Sequence, residues 1–341
     1  MEQSVYRALA LQVRCQAVNG LSESEARPRI MAHIKRIGGQ LSASKAFIGD
    51  DVKLVVLPEY FLTSFPARES IAEWQSIACL SVDGAEYEAL GKLAQDNGVY
   101  LSGNVYELDK HFPDLYFQTS FCIAPYGDVV LRYRRLNSMF APTPHDVWDK
   151  YLDIYGLDGV FPVAKTDIGR LAAVASEEIL YPEITRCMVL RGAEVILHSS
   201  SEASSDLMTQ KEIAKVARAI ESMAYVVSAN SGGIDGINLP GDSTNGHSTI
   251  IDPHGHILAQ AAQGETIVAN AEIDLELLRR NRRRPGMSNY LARQRLEVFA
   301  QTYTDTHFYP ANTLKDGIKD KSQFTATQKA VIQKLSDDGI I

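Results

Sequence analysis

The sequence predicts an α/β fold, and three observations support this prediction. Short segments rich in Val, Ile and Leu alternate with amphipathic segments of helical spacing along the chain. Of the 341 residues, 45% are hydrophobic and 22% are charged, which is typical of a soluble globular protein with a substantial buried core. No internal repeat or low-complexity tract interrupts the alternation up to residue 300. We therefore expect a single domain over residues 1–305 and a more polar C-terminal extension over residues 306–341, which we expect to take part in subunit contacts.

The periodicity of hydrophobic residues and the positions of turn-forming residues divide the first half of the chain into elements. Residues 7–14 alternate like a half-buried strand, residues 23–44 carry helical spacing, and the apolar run 52–57 is typical of a buried strand that ends at Pro58. In the turn APYGDVV, Gly127 supplies the backbone freedom that a hairpin needs. The other predictions here are a helix over 85–97 and strands over 100–106, 117–124 and 129–132.

A long polar and aromatic segment, residues 137–159, follows this hairpin. It is too long for an ordinary connection inside a compact domain, and such loops usually carry a function or a partner contact. His145, Asp146 and Trp148 could close over a site, or the segment could form an oligomer contact. After it we predict strands over 171–175, 194–198, 225–229 and 266–272, helices over 181–191, 210–223, 275–284 and 326–335, and a hairpin over 247–261 with the turn DPHG.

Charge and cysteine content exclude several classes of protein. With 34 Lys and Arg against 42 Asp and Glu, the net charge of −8 offers no attraction for nucleic acid or for an anionic membrane. The chain has no apolar run of about 18 residues and no basic leader-like start, so we expect a cytoplasmic protein. Four cysteines without paired short spacing predict reduced thiols, with neither a zinc site nor a disulfide framework; they are Cys15, Cys79, Cys122 and Cys187.

Polar residues stand at the ends of three predicted strands, where α/β proteins usually place their sites. Glu59 follows a buried strand and could act as a base or an acid, or it could cap the next helix. Ser176 lies at a strand-to-helix turn, a placement that nucleophilic hydrolases use, but the GxSxG pattern is absent and an N-cap role is the simpler interpretation. Arg134 and Arg135 close another strand, where a guanidinium could pair with Glu59 or hold a substrate carboxylate, or be solvated.

Six segments of the chain carry a further pattern: VVLPEYFLTSFP, YRRLN, VASEEILYPEITRCMVLRGAEVIL, RAIESMAYVVSANSGG, GHSTIIDPHGHILAQA and IVANAEIDLELLRRNRRRPG. In this order and at this spacing, from about residue 6 to residue 305, they resemble successive signatures of the nitrilase superfamily, the carbon-nitrogen hydrolases. The resemblance implies a four-layer αββα sandwich of two sheets. It also implies subunits that pair through helices and, often, a tail that crosses to the neighbouring subunit.

The resemblance also implies a chemistry. Members of the superfamily act on amides, nitriles or N-carbamoyl compounds with a Glu-Lys-Cys triad, in which the Cys forms a thioester, the Glu moves protons and the Lys stabilises the oxyanion. Position by position, Glu59 matches the general base, Arg135 falls at the lysine, and Ser176 falls at the cysteine, seven residues before the Glu of YPE. None of the four cysteines falls at the nucleophile position, and a second Glu found in many members after the lysine is not evident.

These departures from the triad have physical consequences. A serine hydroxyl is far less acidic than a thiol and needs a proton acceptor in the transition state, which Glu59 could provide. Arg135 keeps the positive charge and can donate to an oxyanion, but it cannot shuttle a proton. Three interpretations follow: a hydrolase in which Ser176 attacks or Glu59 activates water, a pseudoenzyme that keeps the pocket for binding or assembly, and an inactivated mutant of an ordinary amidase.

Other residues that are retained at motif positions favour an active enzyme over a pseudoenzyme. We expect a homodimer or larger homo-oligomer that acts on a small amide-type compound, with amides ranked above nitriles and without a cofactor. We expect no metal, because His247, His254 and His256 have no acidic or Cys partner at ligand spacing. Glu183 and Asn230 are retained at motif positions, and substrate contact is predicted for Tyr60, Glu177, His198 and Glu202.

Overall fold

Two six-stranded mixed sheets form the centre of the computed structural model, which describes residues 3–203, 205, 207–244, 246–317 and 320–341. In the first sheet the three central strands pair in parallel and the remaining pairs are antiparallel. In spatial order its strands are β14 (Asn270–Asp274), β1 (Val5–Ala10), β3 (Val52–Val56), β4 (Tyr100–Leu108), β5 (Tyr116–Ile123) and β6 (Val129–Arg134).

The second sheet repeats this arrangement, with parallel pairing at its centre and antiparallel pairing at both sides. In spatial order its strands are β13 (Ile257–Gln260), β12 (Thr249–Ile251), β10 (Tyr225–Asn230), β9 (Val195–Ser200), β8 (Gly169–Ala175) and β7 (Ala164–Thr166). A short parallel pair, β2 (Cys15–Gln16) and β11 (Ile234–Asp235), joins two loops beside the sheets.

Helices cover the outer face of each sheet. On the first sheet lie α1 (Glu23–Ile48), α2 (Ile71–Ile77) and α3 (Ala85–Asn97), and on the second lie α5 (Pro182–Leu190) and α6 (Gln210–Ser222). The remaining helices are α4 (Trp148–Val160), α7 (Leu275–Arg283), α8 (Glu297–Asp305) and α9 (Ser322–Asp337). None of the helices in the described residues is long and apolar enough to cross a membrane.

Alternation along the strands separates two apolar cores. Ala8 in β1 and Leu54 in β3 belong to the core between the sheets, whereas their neighbours Leu9 and Val55 belong to the core under α1 and α3. This division follows from the two-residue period of a strand, which sends successive side chains to opposite faces. The four-layer αββα sandwich implied by the resemblance is therefore confirmed.

The segment 137–159 differs from the predicted irregular loop. It contains a 3₁₀ helix, Pro144–Val147, and the helix α4, whose chain kinks at Gly156. The C-terminal extension packs against this segment of its own chain, since Leu314 and Phe324 are buried in one apolar cluster with side chains of α4. A contact between the extension and a neighbouring subunit stays a prediction.

Candidate active site

The candidate site lies where strand ends of the two sheets face each other. Glu59 follows β3 of the first sheet, and Ser176 follows β8 of the second. The Glu59 N–H donates to the carbonyl oxygen of Ser200 (3.2 Å) at the end of β9, and Ser199 Oγ donates to the carbonyl oxygen of Leu57 (2.8 Å). These bonds join the two sheets directly beside the site, so the relative position of its two halves is fixed.

The Glu59 side chain is buried, and both of its carboxylate oxygens accept hydrogen bonds. Oε1 accepts from Gln118 Nε2 (2.7 Å) and from Arg135 Nη1 (3.5 Å), and Oε2 accepts from the N–H of Ser201 (3.1 Å). Donors from three different parts of the chain thus fix the carboxylate. Gln118 was not predicted as a site residue. The available signal was a glutamine in the middle of a segment that reads as a buried strand.

Arg135 is held by partners on several sides. Its Nε donates to the Asn137 carbonyl oxygen (2.7 Å), its Nη1 to Gln118 Oε1 (2.8 Å) and to Glu59, and its Nη2 to the Glu177 carboxylate. Burial lowers the pKa of Arg135, but the charges of Glu59 and Glu177 outweigh this effect and hold the pKa above its usual value. Arg135 is therefore a permanent cation next to Glu177, the residue that follows Ser176.

Arg134 does not take part in this arrangement, although its position in the sequence predicts the same pairing for both arginines. Successive residues of a strand point to opposite faces, and Arg134 turns away into a buried cluster. Its guanidinium pairs with Glu107 (3.3 Å) and with Asp109, and it lies 4.7 Å from the centre of the Phe117 ring. The structure therefore assigns the pairing with Glu59 to Arg135 alone.

Ser176 occupies an unusual backbone conformation at the start of a 3₁₀ helix, Ser176–Leu180. Its φ of +50° lies in the left-handed region, which costs a non-glycine residue about 1–3 kcal/mol and often marks a functional position. Its carbonyl oxygen accepts from His198 Nε2 (2.8 Å), and its hydroxyl oxygen accepts from Lys211 Nζ (3.4 Å). Lys211 was not predicted, because only the fold brings the first turn of α6 to Ser176.

His198 contacts the backbone of Ser176, and contact of its side chain with a ligand stays a prediction. The side chain is fully buried, and its other ring nitrogen, Nδ1, pairs with Ser228 Oγ (2.8 Å). Since a carbonyl oxygen only accepts, Nε2 carries the proton toward Ser176 and Nδ1 accepts from Ser228. Burial above all, and the charge of Lys215, hold the pKa of His198 well below its usual value, so the ring is neutral.

The other residues predicted to contact substrate differ in their exposure to solvent. Glu177 leaves 43% of its side chain exposed while it pairs with Arg135, so a ligand can reach it. Tyr60 is buried and packs against aromatic neighbours, and its φ is +36°. Glu202 is mostly buried, with Oε2 4.0 Å from the Nζ atom of Lys215, a buried lysine that was not predicted as a site residue.

Cys15 lies next to the site but cannot replace the missing cysteine nucleophile. Its thiol donates to the backbone carbonyl oxygen of Glu59 (3.5 Å) and is fully buried. Burial, and then the charge of Glu59, raise the pKa of Cys15 far above its usual value, so the reactive thiolate is not available. Among the described residues, no group of three or more His, Cys, Asp or Glu side chains is placed to hold a metal ion.

Glu178 is a buried carboxyl group beneath the site. Oε1 accepts from the N–H groups of Leu136 (2.7 Å) and Asn137 (2.8 Å), and Oε2 accepts from the hydroxyl of Tyr133 (2.8 Å). Burial raises the pKa of Glu178 to about 7, although the charge of Arg135 acts in the opposite direction. Glu178 therefore holds the chain after Arg135 in place, and it binds a proton more tightly than an exposed carboxylate does.

We expect Glu178 to lower the stability of the protein as the pH rises. Its folded-state pKa of about 7 lies above the ordinary value of 4.5, so its favourable contribution is complete below the ordinary value and is lost as the pH rises through about 7. In Glu178→Gln, which resembles the protonated side chain, the free energy of unfolding should decline less over this range, by up to about 3 kcal/mol. Urea denaturation at a series of pH values measures the difference. The exposed Glu88→Gln is the control, and a wild-type pH dependence in Glu178→Gln would contradict the assignment.

Comparisons with known proteins show what the whole chain is similar to. A family model described as carbon-nitrogen hydrolase matches residues 15–283. Two similar relatives are a nitrilase of Pyrococcus abyssi, 29% identical over 67% of this chain and 80% of its own length, and a 2-oxoglutaramate amidase of Bacillus subtilis, 29% identical over 65% and 78%. A formamidase of Bacillus cereus is 25% identical over 78% of this chain and 74% of its own length.

Solved structures match the fold. A carbon-nitrogen hydrolase from Helicobacter pylori aligns with a TM-score of 0.66 at 21% identity, covering 89% of this chain and 99% of its own. Nit3 of Saccharomyces cerevisiae, a member of the nitrilase superfamily, aligns with a TM-score of 0.64 at 19% identity, covering 82% and 94%. These similarities support the same sandwich architecture.

Proposed function

The chain belongs to the carbon-nitrogen hydrolase family, and on this basis we propose that it hydrolyses the C–N bond of a small amide or N-carbamoyl compound. In this proposal Ser176 is the nucleophile, Glu59 transfers protons, and Arg135 stabilises the oxyanion. The observation that carries it is the placement of these residues. A fixed carboxylate and a permanent cation contact each other, and the cation also pairs with Glu177, the residue that follows a serine in a left-handed turn.

An amide is the substrate class that fits best. The similar relatives include proteins named 2-oxoglutaramate amidase and formamidase, so amide hydrolysis is represented among them. The reaction needs a nucleophile, a group that transfers protons and a cation near the developing oxyanion, and the site offers side chains for each role. A neutral nitrile also fits a nucleophilic serine, and one relative is named nitrilase, so nitriles belong in the test.

Two features support a second candidate, a pseudoenzyme that binds a ligand without turnover. Arg135 already donates to Glu59, Gln118, Glu177 and the Asn137 carbonyl, which leaves one of its five N–H groups for an oxyanion. In addition, the described contacts of Glu59 do not include a hydrogen bond to Ser176. Catalytic hydrogen bonds are often long in proteins without substrate, so this geometry is compatible with either function.

Ammonia release from a panel of small amides, N-carbamoyl amino acids and nitriles tests the proposal. We expect turnover in the wild-type protein and a loss of at least about 10³-fold in Ser176→Ala, because the covalent step is removed. Ser176→Cys is measured in parallel. Silence in the wild type with turnover in Ser176→Cys would show an intact site that lacks its nucleophile, and full turnover in Ser176→Ala would eliminate the covalent serine.

A further inference from the structure

The hydroxyl of Ser176 faces a lysine that has no counterpart in the proposed triad. Lys211 Nζ lies 3.4 Å from Ser176 Oγ. Lys211 is the second residue of α6, and this turn is fixed by a capping box in which Thr209 Oγ1 accepts from the Glu212 N–H (3.2 Å) and Glu212 Oε2 accepts from the Thr209 N–H (2.7 Å). The capped first turn of α6 therefore fixes the position of the Lys211 amine beside Ser176.

Glu59 is placed less well to accept the Ser176 proton. Its two oxygens already accept three hydrogen bonds, from Gln118 and Arg135 on Oε1 and from the Ser201 N–H on Oε2, and none of these comes from Ser176. Within the described part of the chain, Ser176 Oγ has a hydrogen bond with Lys211 and none with Glu59. The side chain that contacts the hydroxyl of the nucleophile is thus the Lys211 amine and not the Glu59 carboxylate.

The ion pairs formed by the described residues leave the Lys211 amine available to Ser176. None of the described carboxylates forms an ion pair with it, and it stands at a helix N-terminus, where cations are unfavourable. Lys215 follows one turn later on the same side of α6, and like charges at this spacing repel.

We propose that Lys211 accepts the proton of Ser176, so that the two residues form a Ser-Lys nucleophile. This inference rests on the proposed function and assigns the first half of its reaction. Lysine amines can serve as bases for serine nucleophiles in unrelated folds, and Arg135 cannot take this role because a guanidinium does not give up its proton.

The proposed steps balance without a further reactant. Ser176 Oγ forms a bond to the amide carbon while its proton moves to the uncharged Lys211 amine, and the carbonyl oxygen becomes an oxyanion beside Arg135. The C–N bond then breaks, and the leaving nitrogen takes the electron pair and the proton that Lys211 holds. In the second half, water attacks the acyl-serine ester and gives a proton to Glu59, and that proton returns to Oγ as the ester bond breaks.

p-Nitrophenyl acetate is the probe for this assignment, because its acyl transfer to Ser176 is seen both as p-nitrophenolate release and as an acetylated Ser176 peptide in mass spectrometry. We expect the acylation rate to fall by about 10²- to 10⁴-fold in Lys211→Met, which removes the amine. Lys211→Arg should fall equally, because it keeps the charge but cannot accept a proton. Lys92→Met, which alters an exposed lysine of α3, is the matched control, and thermal unfolding verifies that each variant is folded.

Each result has one meaning. An unchanged acylation rate in folded Lys211→Met would overturn the inference, and so would retention of the rate in Lys211→Arg, which would show that only the charge matters. Either result leaves Ser176 as the nucleophile and the proposed function standing. A wild-type protein that is never acetylated at Ser176, or a Ser176→Ala variant that reacts as fast, would instead overturn the covalent function itself.

Discussion

Glu59→Gln is expected to lower turnover by at least about 10³-fold while the protein remains folded. Glutamine has the same shape, and its amide oxygen can still accept from the Ser201 N–H. It cannot accept a proton from water, and it removes the negative charge that faces Arg135. The measurement is kcat for ammonia release on a substrate found in the amide panel. Thermal unfolding should show only the modest loss expected of one unpaired buried hydrogen-bonding group, about 1–3 kcal/mol.

A double variant makes this prediction sharper. Because Glu59 and Arg135 contact each other, the effects of changing them should not add. The double variant Glu59→Gln with Arg135→Met should therefore have a kcat scarcely lower than that of the slower single variant. Glu272→Gln, an exposed carboxylate of the first sheet, is the control for the loss of charge alone. Full turnover in Glu59→Gln would contradict every catalytic role proposed for Glu59, in water activation as well as in the support of Arg135.

The three residues of the proposed triad could be predicted because the short segments that contain them resemble motifs of the carbon-nitrogen hydrolases, whereas position alone left Glu59 and Ser176 open as helix caps. Arg135 and Ser176 directly follow recognisable strands, and Glu59 lies three residues after another. The direction of a parallel strand decides which edge of the sheet its end reaches. Their partners could not be predicted in the same way. Gln118 and Lys211 reach the site from a neighbouring strand and a following helix, so their contacts depend on how the layers stack.

Other differences have equally physical causes. The burial of His198 was not predicted, because the sequence does not display that β9 lies in the middle of its sheet and is covered on both faces. The helix α4 was hidden by Gly156 and Gly159, since glycine lowers helix propensity. Burial of Tyr151 and Val160 against Phe117 overrides this local preference. Packing, which the sequence pattern alone does not display, decided both cases.

Arg134→Met is expected to destabilise the protein by about 3–5 kcal/mol, the loss found when one partner of a buried ion pair is removed. Arg134 is buried, and its guanidinium faces the carboxylates of Glu107 and Asp109. Methionine fills similar space but leaves Asp109 without this cation and Glu107 with only the more exposed Arg132, 3.2 Å away. Burial already raises the pKa of Glu107 despite both arginines, so the carboxylate resists ionisation. The loss should therefore be larger at high pH, where this group must carry its charge, than at low pH.

Variants of the two neighbouring arginines distinguish a role in stability from a role in catalysis. Urea denaturation should show the large loss in Arg134→Met, whereas the exposed Arg68→Met should stay within about 0.5 kcal/mol of the wild type. Measured under conditions where it is fully folded, Arg134→Met should keep a near-normal kcat, while Arg135→Met should lose turnover because the oxyanion loses its cation. If Arg134→Met were as stable as the wild type, the buried cluster would not depend on this arginine. If it were folded but inactive, the division of roles between the two neighbouring arginines would be wrong.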